Sequence, residues 1–165
     1  MELNKDVFIQ QGIIDCQINQ LIEYSHTDPD VQKFTSDPTR FKDRDSFNQW
    51  LSSGRIIYTL FDKNNNLLGI IWFGQKEPPV PMDANFTFAI RIFGPARGQG
   101  LSQIFMKTAF IDLLKNQIKS KITGFWLETS VDNFSAIHVY EKFGFKKIDQ
   151  KGNKIAMRLP AAFDF

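Results

Sequence analysis

A glycine-rich turn between an apolar strand and a long apolar helix is the part of this sequence best suited to bind a ligand. The turn and its flanks read Ile92-Phe93-Gly94-Pro95-Ala96-Arg97-Gly98-Gln99-Gly100-Leu101-Ser102. Glycine adopts positive φ and lets the backbone approach a ligand closely, and the first turn of a helix leaves amides without intrahelical partners. Those amides and the helix dipole favour a phosphate or a pyrophosphate. An ordinary glycine-rich connection would also fit, so the turn alone leaves both interpretations open.

Two common nucleotide-binding motifs do not match this turn. A P-loop requires a glycine, four further residues and then Gly-Lys-Ser/Thr, but Gln99 stands five residues after Gly94 and no lysine follows at the required place. A dinucleotide fingerprint that begins at Gly98 requires a third glycine where Gln103 stands. The turn therefore belongs to neither of these two classes.

A second informative segment follows downstream and reads Asn133-Phe134-Ser135-Ala136-Ile137-His138-Val139-Tyr140-Glu141-Lys142-Phe143-Gly144-Phe145. It resembles the second signature of the GCN5-related N-acetyltransferase (GNAT) family, Asn-x-x-Ala-x-x-x-Tyr-x-Lys-x-Gly-Phe. Residues 97–102 resemble that family's coenzyme A loop, Arg/Gln-x-x-Gly-x-Gly/Ala. The separation of roughly 35 residues between the two segments and the order of the predicted elements are also typical of the family, so the resemblance covers nearly the whole chain.

The sequence departs from the family pattern at two positions. Ser102 occupies the last Gly/Ala position of the loop; serine is small enough for close approach, and its hydroxyl could add a phosphate contact. Gly94 stands three residues before Arg97, where the family often has proline, and Pro95 follows it. The second departure changes the exit from the strand but removes no ligand-binding group.

The resemblance implies that acetyl-CoA binds here as a co-substrate. In the family, the amides that follow the arginine hold the pyrophosphate, so we expect the cofactor to contact Arg97 and the five residues behind it, Gly98, Gln99, Gly100, Leu101 and Ser102. The pantetheine arm pairs with the preceding strand, here residues 85–93, through the backbone of Ile92, where that strand splays away from residues 124–128. Asn133 would either contact the cofactor or cap the helix that it precedes.

The resemblance also implies a general acid. In the family, the tyrosine of the second signature, here Tyr140, donates a proton to the departing CoA thiolate. A free thiol has a pKa of about 8.5, so a nearby donor assists its expulsion near neutral pH. Tyr140 also shares one helix face with Ala136, Val139 and Phe143. A packed aromatic residue whose hydroxyl is bonded elsewhere is therefore the alternative.

The general base is less well defined. Many relatives carry a glutamate on the strand before the loop, but residues 85–93 contain no carboxylate. Glu128, at the end of the neighbouring strand, is the first candidate, and Asp83 and Glu77 are weaker ones. A base that acts through water is an equal alternative. Glu128 could instead be a surface or salt-bridged residue.

The rest of the sequence predicts the elements that would position these residues. Apolar and alternating runs predict strands at residues 7–10, 56–61, 67–73, 85–93, 124–128, 145–148 and 154–159. Helical spacing predicts four helices: one around Ile14 to Ile22, one capped by Asp45, one from Leu101 to Ile118, and one from Ser135 to Phe143. Residues 25–44 are predicted to form turns and loop, because they contain the pairs Asp28-Pro29 and Asp37-Pro38.

The order of these elements predicts a mixed α/β fold. With the resemblance added, we expect a GNAT-like, largely antiparallel central sheet of about six to seven strands, splayed at the cofactor site and flanked by about four helices. The whole chain, residues 1–165, is expected to be a single N-acetyltransferase domain.

Length and composition argue against several classes of protein. The chain has 165 residues, a net charge of +2 and a single cysteine, Cys16. One cysteine forms no internal disulfide and supplies no cysteine-rich zinc site, and we expect no metal. The small net charge argues against a nucleic-acid partner. Because we find no signal-peptide apolar core and no apolar run near the ~18–20 residues that span a bilayer, we expect a cytoplasmic protein without membrane contact.

Charge is unevenly distributed along the chain. Residues 1–40 carry three basic and seven acidic groups, whereas residues 115–158 carry nine basic and four acidic groups. Such blocks are usually solvated faces, but an acidic side can also receive a cationic ligand. In the family's fold, regions that here are residues 12–53 and 74–84 usually shape the acceptor site. Their acid-rich stretches mildly favour a cationic acceptor such as a polyamine, aminoglycoside, amino acid or peptide amine.

These observations together predict an enzyme. It would transfer acetyl from acetyl-CoA to a primary amine of a small molecule or peptide, by direct attack in a ternary complex. Cys16 lies far in sequence from both motifs, which argues against a covalent cysteine intermediate. The alternative is a non-catalytic acyl-CoA-binding module or sensor of the same fold. We expect a monomer or a homodimer, with the aromatic tail at residues 163–165 available to pack against a partner.

Overall fold

The computed structural model describes residues 2–4, 6–116 and 122–162. Within these ranges the chain forms eight strands, six α-helices and one short 3-10 helix. The elements group into two compact units. The first comprises Met1–Trp72 and Ile90–Leu101, and the second comprises Phe73–Ala89 and Ser102–Phe165.

The first unit contains a sheet whose strands lie in the order β1-β2-β3-β4. The strands are β1 (Glu2–Asn4), β2 (Val7–Gln11), β3 (Ile56–Asp62) and the first part of β4 (Leu67–Gln75). β2 pairs antiparallel with β3, from Val7 opposite Asp62 to Gln11 opposite Tyr58. β3 and β4, both predicted as strands, form a hairpin: its polar turn is closed by the Asp62 carboxylate, which accepts the amides of Asn64 and Asn66.

Four helices belong to this unit: α1 (Asp15–Thr27), α2 (Pro29–Phe34), α3 (Asp37–Arg40) and α4 (Arg44–Ser52). The prediction of turns and loop over residues 25–44 is wrong, because α1 continues to Thr27 and two short helices follow it. Each proline lies in the first turn of its helix, where the missing amide would have had no helical partner. The Asp28 carboxylate caps α2 and accepts the amides of Asp30 and Val31.

The N-cap predicted for α4 is also wrong. Asp43, and not Asp45, is the N-cap; its backbone is extended and its carboxylate accepts the Ser46 amide at 2.8 Å. Asp45 is the second residue of α4, in the first turn, where its charge still suits the positive end of the helix dipole. Phe47 of α4 and Phe41 just before it are fully buried, and they pack with Trp50 and Trp72 at ring distances of 4.9–6.0 Å.

The second unit contains strands in the order β5-β6-β8-β7. They are the first part of β5 (Phe86–Ile92), β6 (Gly124–Ser130), β7 (Lys146–Lys151) and β8 (Lys154–Pro160). Its helices are α5 (Leu101–Asn116) and α6 (Phe134–Phe143). The end predicted for the third helix, at Ile118, lies outside the described residues, as does the tail at 163–165. The Phe110 ring lies 4.7–5.1 Å from those of Phe73, Phe88, Phe125 and Phe143, which makes this core largely aromatic.

The mixed α/β fold expected from the sequence is confirmed. The described chain has one strand more than the pattern predicted, the short β1, and two helices more, α2 and α3. Among the described residues no helix is both long and apolar enough to span a bilayer.

Candidate functional site

The glycine-rich turn leaves β5 and enters α5 with its backbone amides open. After a 3-10 turn at Gly94–Ala96, Gly98 and Gly100 adopt positive φ values of 76° and 71°. A Cβ atom placed at either glycine would meet nothing within 4 Å. The amides of Gly98, Gln99 and Gly100 have no acceptor among the described residues, and all three residues are exposed. Such open amides, where L side chains are disfavoured, fit an anionic ligand like the pyrophosphate of acetyl-CoA.

Arg97, in the glycine-rich turn, forms ion pairs with two acidic residues at the N-terminal end of α2. Its Nη2 lies 2.8 Å from both carboxylate oxygens of Asp28, and its Nη1 lies 3.1 Å from Asp30 Oδ2. Its Nε donates to the Ile92 carbonyl at 2.9 Å. The guanidinium is therefore held by protein groups of the first unit, which gives Arg97 a positioning role. A contact between Arg97 and the cofactor stays a prediction.

The electrostatics of Asp28 match this anchoring role. Burial alone would raise the pKa of the Asp28 carboxyl, but hydrogen bonds from Arg97, Val31 and Asp30 and the Arg97 charge outweigh burial and lower its pKa. The side chain of Asp28 is only 5% exposed. The ionised carboxylate therefore both caps α2 and holds the arginine of the turn.

Sequence reasoning missed Asp28 and Asp30 because nothing local marks them. Asp28 and Arg97 are 69 residues apart in the chain, and the Asp28-Pro29 pair suggested a turn. The one available signal was that Asp28 precedes a proline at a possible first helical position.

The backbone of Ile92 was predicted to meet the pantetheine arm. Its carbonyl oxygen accepts a hydrogen bond from Arg97 Nε, so only the second lone pair of that oxygen remains for a ligand.

In the second unit, β5 and β6 separate early. Their parallel pairing comprises Phe86 opposite Phe125 and Thr87 opposite Trp126, although each strand is seven residues long. On its other side, β6 pairs with β8 along its whole length, from Gly124 to Ser130. Within the second unit, Phe88 and Ala89 thus continue β5 without pairing to β6.

Tyr140 is buried in the aromatic core of the second unit. It is 6% exposed, and its ring lies edge-on to Phe88 at 6.2 Å and to Phe145 at 6.0 Å. The helix that carries it, α6, is tied to α5 by a hydrogen bond from Gln103 Nε2 to the Val139 carbonyl. The position of the Tyr140 ring is therefore well determined by packing, as both a general acid and a purely structural tyrosine would require.

Both ends of α6 are capped. Asn133 is the N-cap, and its Oδ1 accepts the Ala136 amide at 3.3 Å. Gly144 ends the helix with a φ of 115° and donates to the Tyr140 carbonyl, a left-handed conformation that favours glycine. The capping interpretation of Asn133 is confirmed, while its cofactor contact stays a prediction.

The candidate bases differ in their surroundings. Glu128 is the one exposed residue of β6, whose other positions are all buried, and it makes no ion pair with any residue in the described ranges. Asp83 is bound by Arg158, which donates from Nη2 to its carboxylate at 3.3 Å and from Nε to its carbonyl at 2.6 Å. Glu77 is exposed in the segment between β4 and β5. Glu128 is thus the candidate that keeps an unpaired carboxylate on a well-ordered strand.

No group of three or more histidine, cysteine or acidic side chains in the described part of the chain is arranged to hold a metal ion. The functional features are instead a turn with open amides before a helix, a pair of strands that separate, and a capped helix that carries a buried tyrosine. This combination is typical of acyl-CoA-dependent acyltransferases of mixed α/β fold.

Comparison with known proteins agrees with this class. A profile of the acetyltransferase (GNAT) family matches residues 19–145, a span that includes the turn and α6. The chain therefore belongs to the acetyltransferase (GNAT) family and is an enzyme of the N-acetyltransferase class. No curated protein matches the sequence.

Solved structures share the fold at low sequence identity. The spermidine N-acetyltransferase from Vibrio cholerae in complex with CoA and spermine superposes with a TM-score of 0.70 and 14% identity, over 94% of each chain. A dodecameric structure of that enzyme in an intermediate state gives a TM-score of 0.65, with 14% identity over 96% of each chain. The protein smu.2055 from Streptococcus mutans UA159 gives a TM-score of 0.71, with 16% identity over 93% of this chain and 99% of the other.

Proposed function

We propose that this enzyme transfers the acetyl group of acetyl-CoA to a primary amine by direct attack in a ternary complex. The observation that carries the proposal is the turn in which the amides of Gly98, Gln99 and Gly100 are exposed and without acceptors. Two positive-φ glycines and open space beside them allow close approach of a pyrophosphate there. Acetyl-CoA would supply the activated acyl group.

The residues that would bind acetyl-CoA follow from the family signatures. The amides from Gly98 to Ser102 would hold the pyrophosphate, and the dipole of α5 would add to their attraction. The backbone of Ile92, at the end of β5, would meet the pantetheine arm. Asn133 would contribute where its cap hydrogen bond leaves its amide nitrogen available.

The chemical step requires a neutral amine and a protonated leaving group. An alkylamine has a pKa of about 10.4, so under roughly one part in a thousand is neutral at pH 7. A base, with Glu128 as the first candidate, would accept the amine proton directly or through water. The nitrogen lone pair then forms the C–N bond, the C–S bond breaks, and Tyr140 would give its proton to the thiolate. The attacking nitrogen would lose its second proton as the amide forms, and a proton returned through water would restore the Tyr140 hydroxyl.

Direct attack is favoured over a covalent enzyme intermediate. Cys16, the only cysteine, is exposed on α1, and neither signature of the family includes it. No other thiol exists in the chain to form a thioester.

A non-catalytic acyl-CoA-binding module is the second candidate. One observation favours it: β5, from Phe86 to Ile92, contains no carboxylate, although many relatives carry their base on that strand. The two functions differ in turnover, because a binding module would hold acetyl-CoA without consuming it when amines are added.

The test combines binding and turnover on one preparation. Calorimetry should give saturable one-to-one binding of acetyl-CoA, and thiol release should rise when a panel of primary amines is added. Binding without amine-dependent thiol release would favour the non-catalytic module. Absence of acetyl-CoA binding in folded protein would contradict both functions.

A further inference from the structure

One nitrogen of the Arg97 guanidinium is held less firmly than the other two. Nε donates to the Ile92 carbonyl at 2.9 Å, and Nη2 lies 2.8 Å from both carboxylate oxygens of Asp28. Nη1 donates no hydrogen bond to any described residue, and its contact within those ranges is an ion pair with Asp30 Oδ2 at 3.1 Å. The two N–H groups of Nη1 are therefore the donors of Arg97 that a ligand can use.

Asp30 is a weaker partner of this arginine than Asp28. The Asp30 side chain is 59% exposed, whereas that of Asp28 is 5% exposed. An exposed ion pair contributes little free energy, because water and salt screen it. Charge-assisted hydrogen bonds to a buried carboxylate are stronger. Arg97 can therefore exchange Asp30 for another anion while Asp28 keeps the guanidinium in place.

The other contacts between α1, α2 and the turn do not depend on Asp30. The Tyr24 ring of α1 stacks on that of Phe93, the residue before the 3-10 helix of the turn, with 4.4 Å between the ring centres. The Asp28 amide donates to the Tyr24 carbonyl, so one short segment of the chain provides both the stacked ring and the buried carboxylate. Phe93 and Arg97, at the two ends of the 3-10 helix, are thus fixed without the Asp30 side chain.

The open amides of the turn begin at the residue that follows Arg97. Gly98, Gln99 and Gly100 are exposed, and their amides have no acceptor among the described residues. An anion on these amides would lie close to the arginine, and a hydrogen bond from Nη1 to a phosphate oxygen would be stronger than the screened ion pair with Asp30. The Asp30 carboxylate has the opposite influence, because it holds Nη1 and carries the same sign of charge as the anion.

We propose that the Asp30 carboxylate competes with the pyrophosphate of acetyl-CoA for Nη1 of Arg97, and that this acid lowers the affinity for the cofactor and for the CoA product. This inference rests on the proposed N-acetyltransferase function and names a residue that sets cofactor affinity in it. Nη1 turns from Asp30 to a phosphate oxygen when the cofactor binds, and Asp30 takes the nitrogen back when CoA leaves. Asp28 and Asp30 thus act on one arginine with opposite effects on binding.

The experiment measures CoA binding by calorimetry at low and at high salt, in the wild type and in Asp30→Asn, which removes the charge and keeps the size of the side chain. Asp45→Asn is the matched control, because Asp45 is also an exposed acid in the first turn of a helix of the first unit and pairs with no basic residue in the described ranges. Asp30→Glu keeps the charge. The second probe is 3′-dephospho-CoA, which retains the pyrophosphate and lacks the 3′-phosphate.

Asp30→Asn should bind CoA about two- to fourfold more tightly than the wild type at low salt, the effect of removing one like charge roughly 5–10 Å away in water. The gain should be the same with 3′-dephospho-CoA, because the proposed competitor is the pyrophosphate. It should shrink near 1 M salt, where the Debye length is about 3 Å. Asp45→Asn and Asp30→Glu should both bind CoA like the wild type.

Several results would overturn the inference. Unchanged CoA affinity in Asp30→Asn would do so, as would a gain that 3′-dephospho-CoA does not show or that Asp45→Asn shows equally. Weaker binding by Asp30→Asn would also overturn it, because Asp30 would then hold the arginine in place as Asp28 does. Those outcomes leave acetyl transfer intact, whereas a folded wild-type protein that binds neither CoA nor acetyl-CoA would remove the proposed function and the inference with it.

Discussion

The hydroxyl of Tyr140 is the single group on which the proposed acid step depends. Phenylalanine at this position keeps the ring packed against Phe88 and Phe145. A positioned acid contributes about 10²–10⁴-fold, so Tyr140→Phe should lower kcat and kcat/KM together by at least about tenfold, even if water partly substitutes. Acetyl-CoA affinity should hardly change, because the proton is needed only as the thiolate forms. Initial rates and calorimetry on one preparation measure both quantities.

A structural role for Tyr140 predicts a different pattern. Loss of one hydrogen bond would lower stability by about 0.5–1.5 kcal/mol and leave turnover per folded molecule nearly intact. Tyr58→Phe is a suitable control, because Tyr58 is a buried tyrosine of β3 outside the proposed machinery. Full activity in well-folded Tyr140→Phe would assign this residue to packing.

A substitution at Gly100 tests whether the glycine-rich turn binds acetyl-CoA. An aspartate there adds a side chain where φ is 71° and a negative charge where a pyrophosphate is proposed to bind. Gly100→Asp should abolish acetyl-CoA binding in a protein that still folds. Gly152→Asp is the control, because Gly152 also has positive φ, at 58°, and open space beside it, but lies in the turn between β7 and β8. Unchanged affinity in Gly100→Asp would contradict the assignment of the turn.

The link between α2 and the turn depends on the charge of Asp28. Asn is an equally good N-cap, so Asp28→Asn keeps the cap of α2 and removes only the ion pair with Arg97. We expect a loss of about 1 kcal/mol at pH 7, a low value because a third of the Arg97 side chain is exposed. Acetyl-CoA affinity should fall with it, since Arg97 also holds the Ile92 carbonyl.

The pH dependence of stability tests the same link. The pKa of Asp28 is lowered by folding, so its contribution is complete above the unfolded pKa of about 3.9 and is lost as the pH falls through the folded pKa. Melting curves recorded on acidification should therefore be flatter for Asp28→Asn than for the wild type. Asp15→Asn, which removes an exposed ion pair, should follow the wild type. Parallel curves for Asp28→Asn and wild type would show that the pair contributes no stability.

Elements whose evidence is local were predictable from the sequence. The β3–β4 hairpin has apolar runs on both sides of a polar turn, and α6 has a side-chain cap at Asn133 and a glycine at its end. Helices α2 and α3 were missed because Asp-Pro pairs suggested turns, whereas each proline lies in a first helical turn. With six and four residues, respectively, these helices are also too short for helical periodicity to appear.

At the scale of the whole molecule, charge counting along the chain leaves out the ion pairs between residues that are far apart in sequence. The acidic block of residues 1–40 is neutralised in part by Arg91 and Arg97, which lie 54 and 69 residues from their partners Asp37 and Asp28. A sum over consecutive residues contains no information on such pairs.

Direct attack and a covalent cysteine intermediate predict different steady-state kinetics for the enzyme. With one cysteine, exposed on α1, direct attack predicts that acetyl-CoA and the amine must both be bound before CoA leaves. Initial rates at varied concentrations of both substrates should give intersecting double-reciprocal lines, and Cys16→Ser should leave kcat and kcat/KM within about twofold, since a catalytic nucleophile would cost orders of magnitude. Parallel lines, or an acetylated Cys16 trapped by mass spectrometry in the absence of amine, would instead require a covalent intermediate.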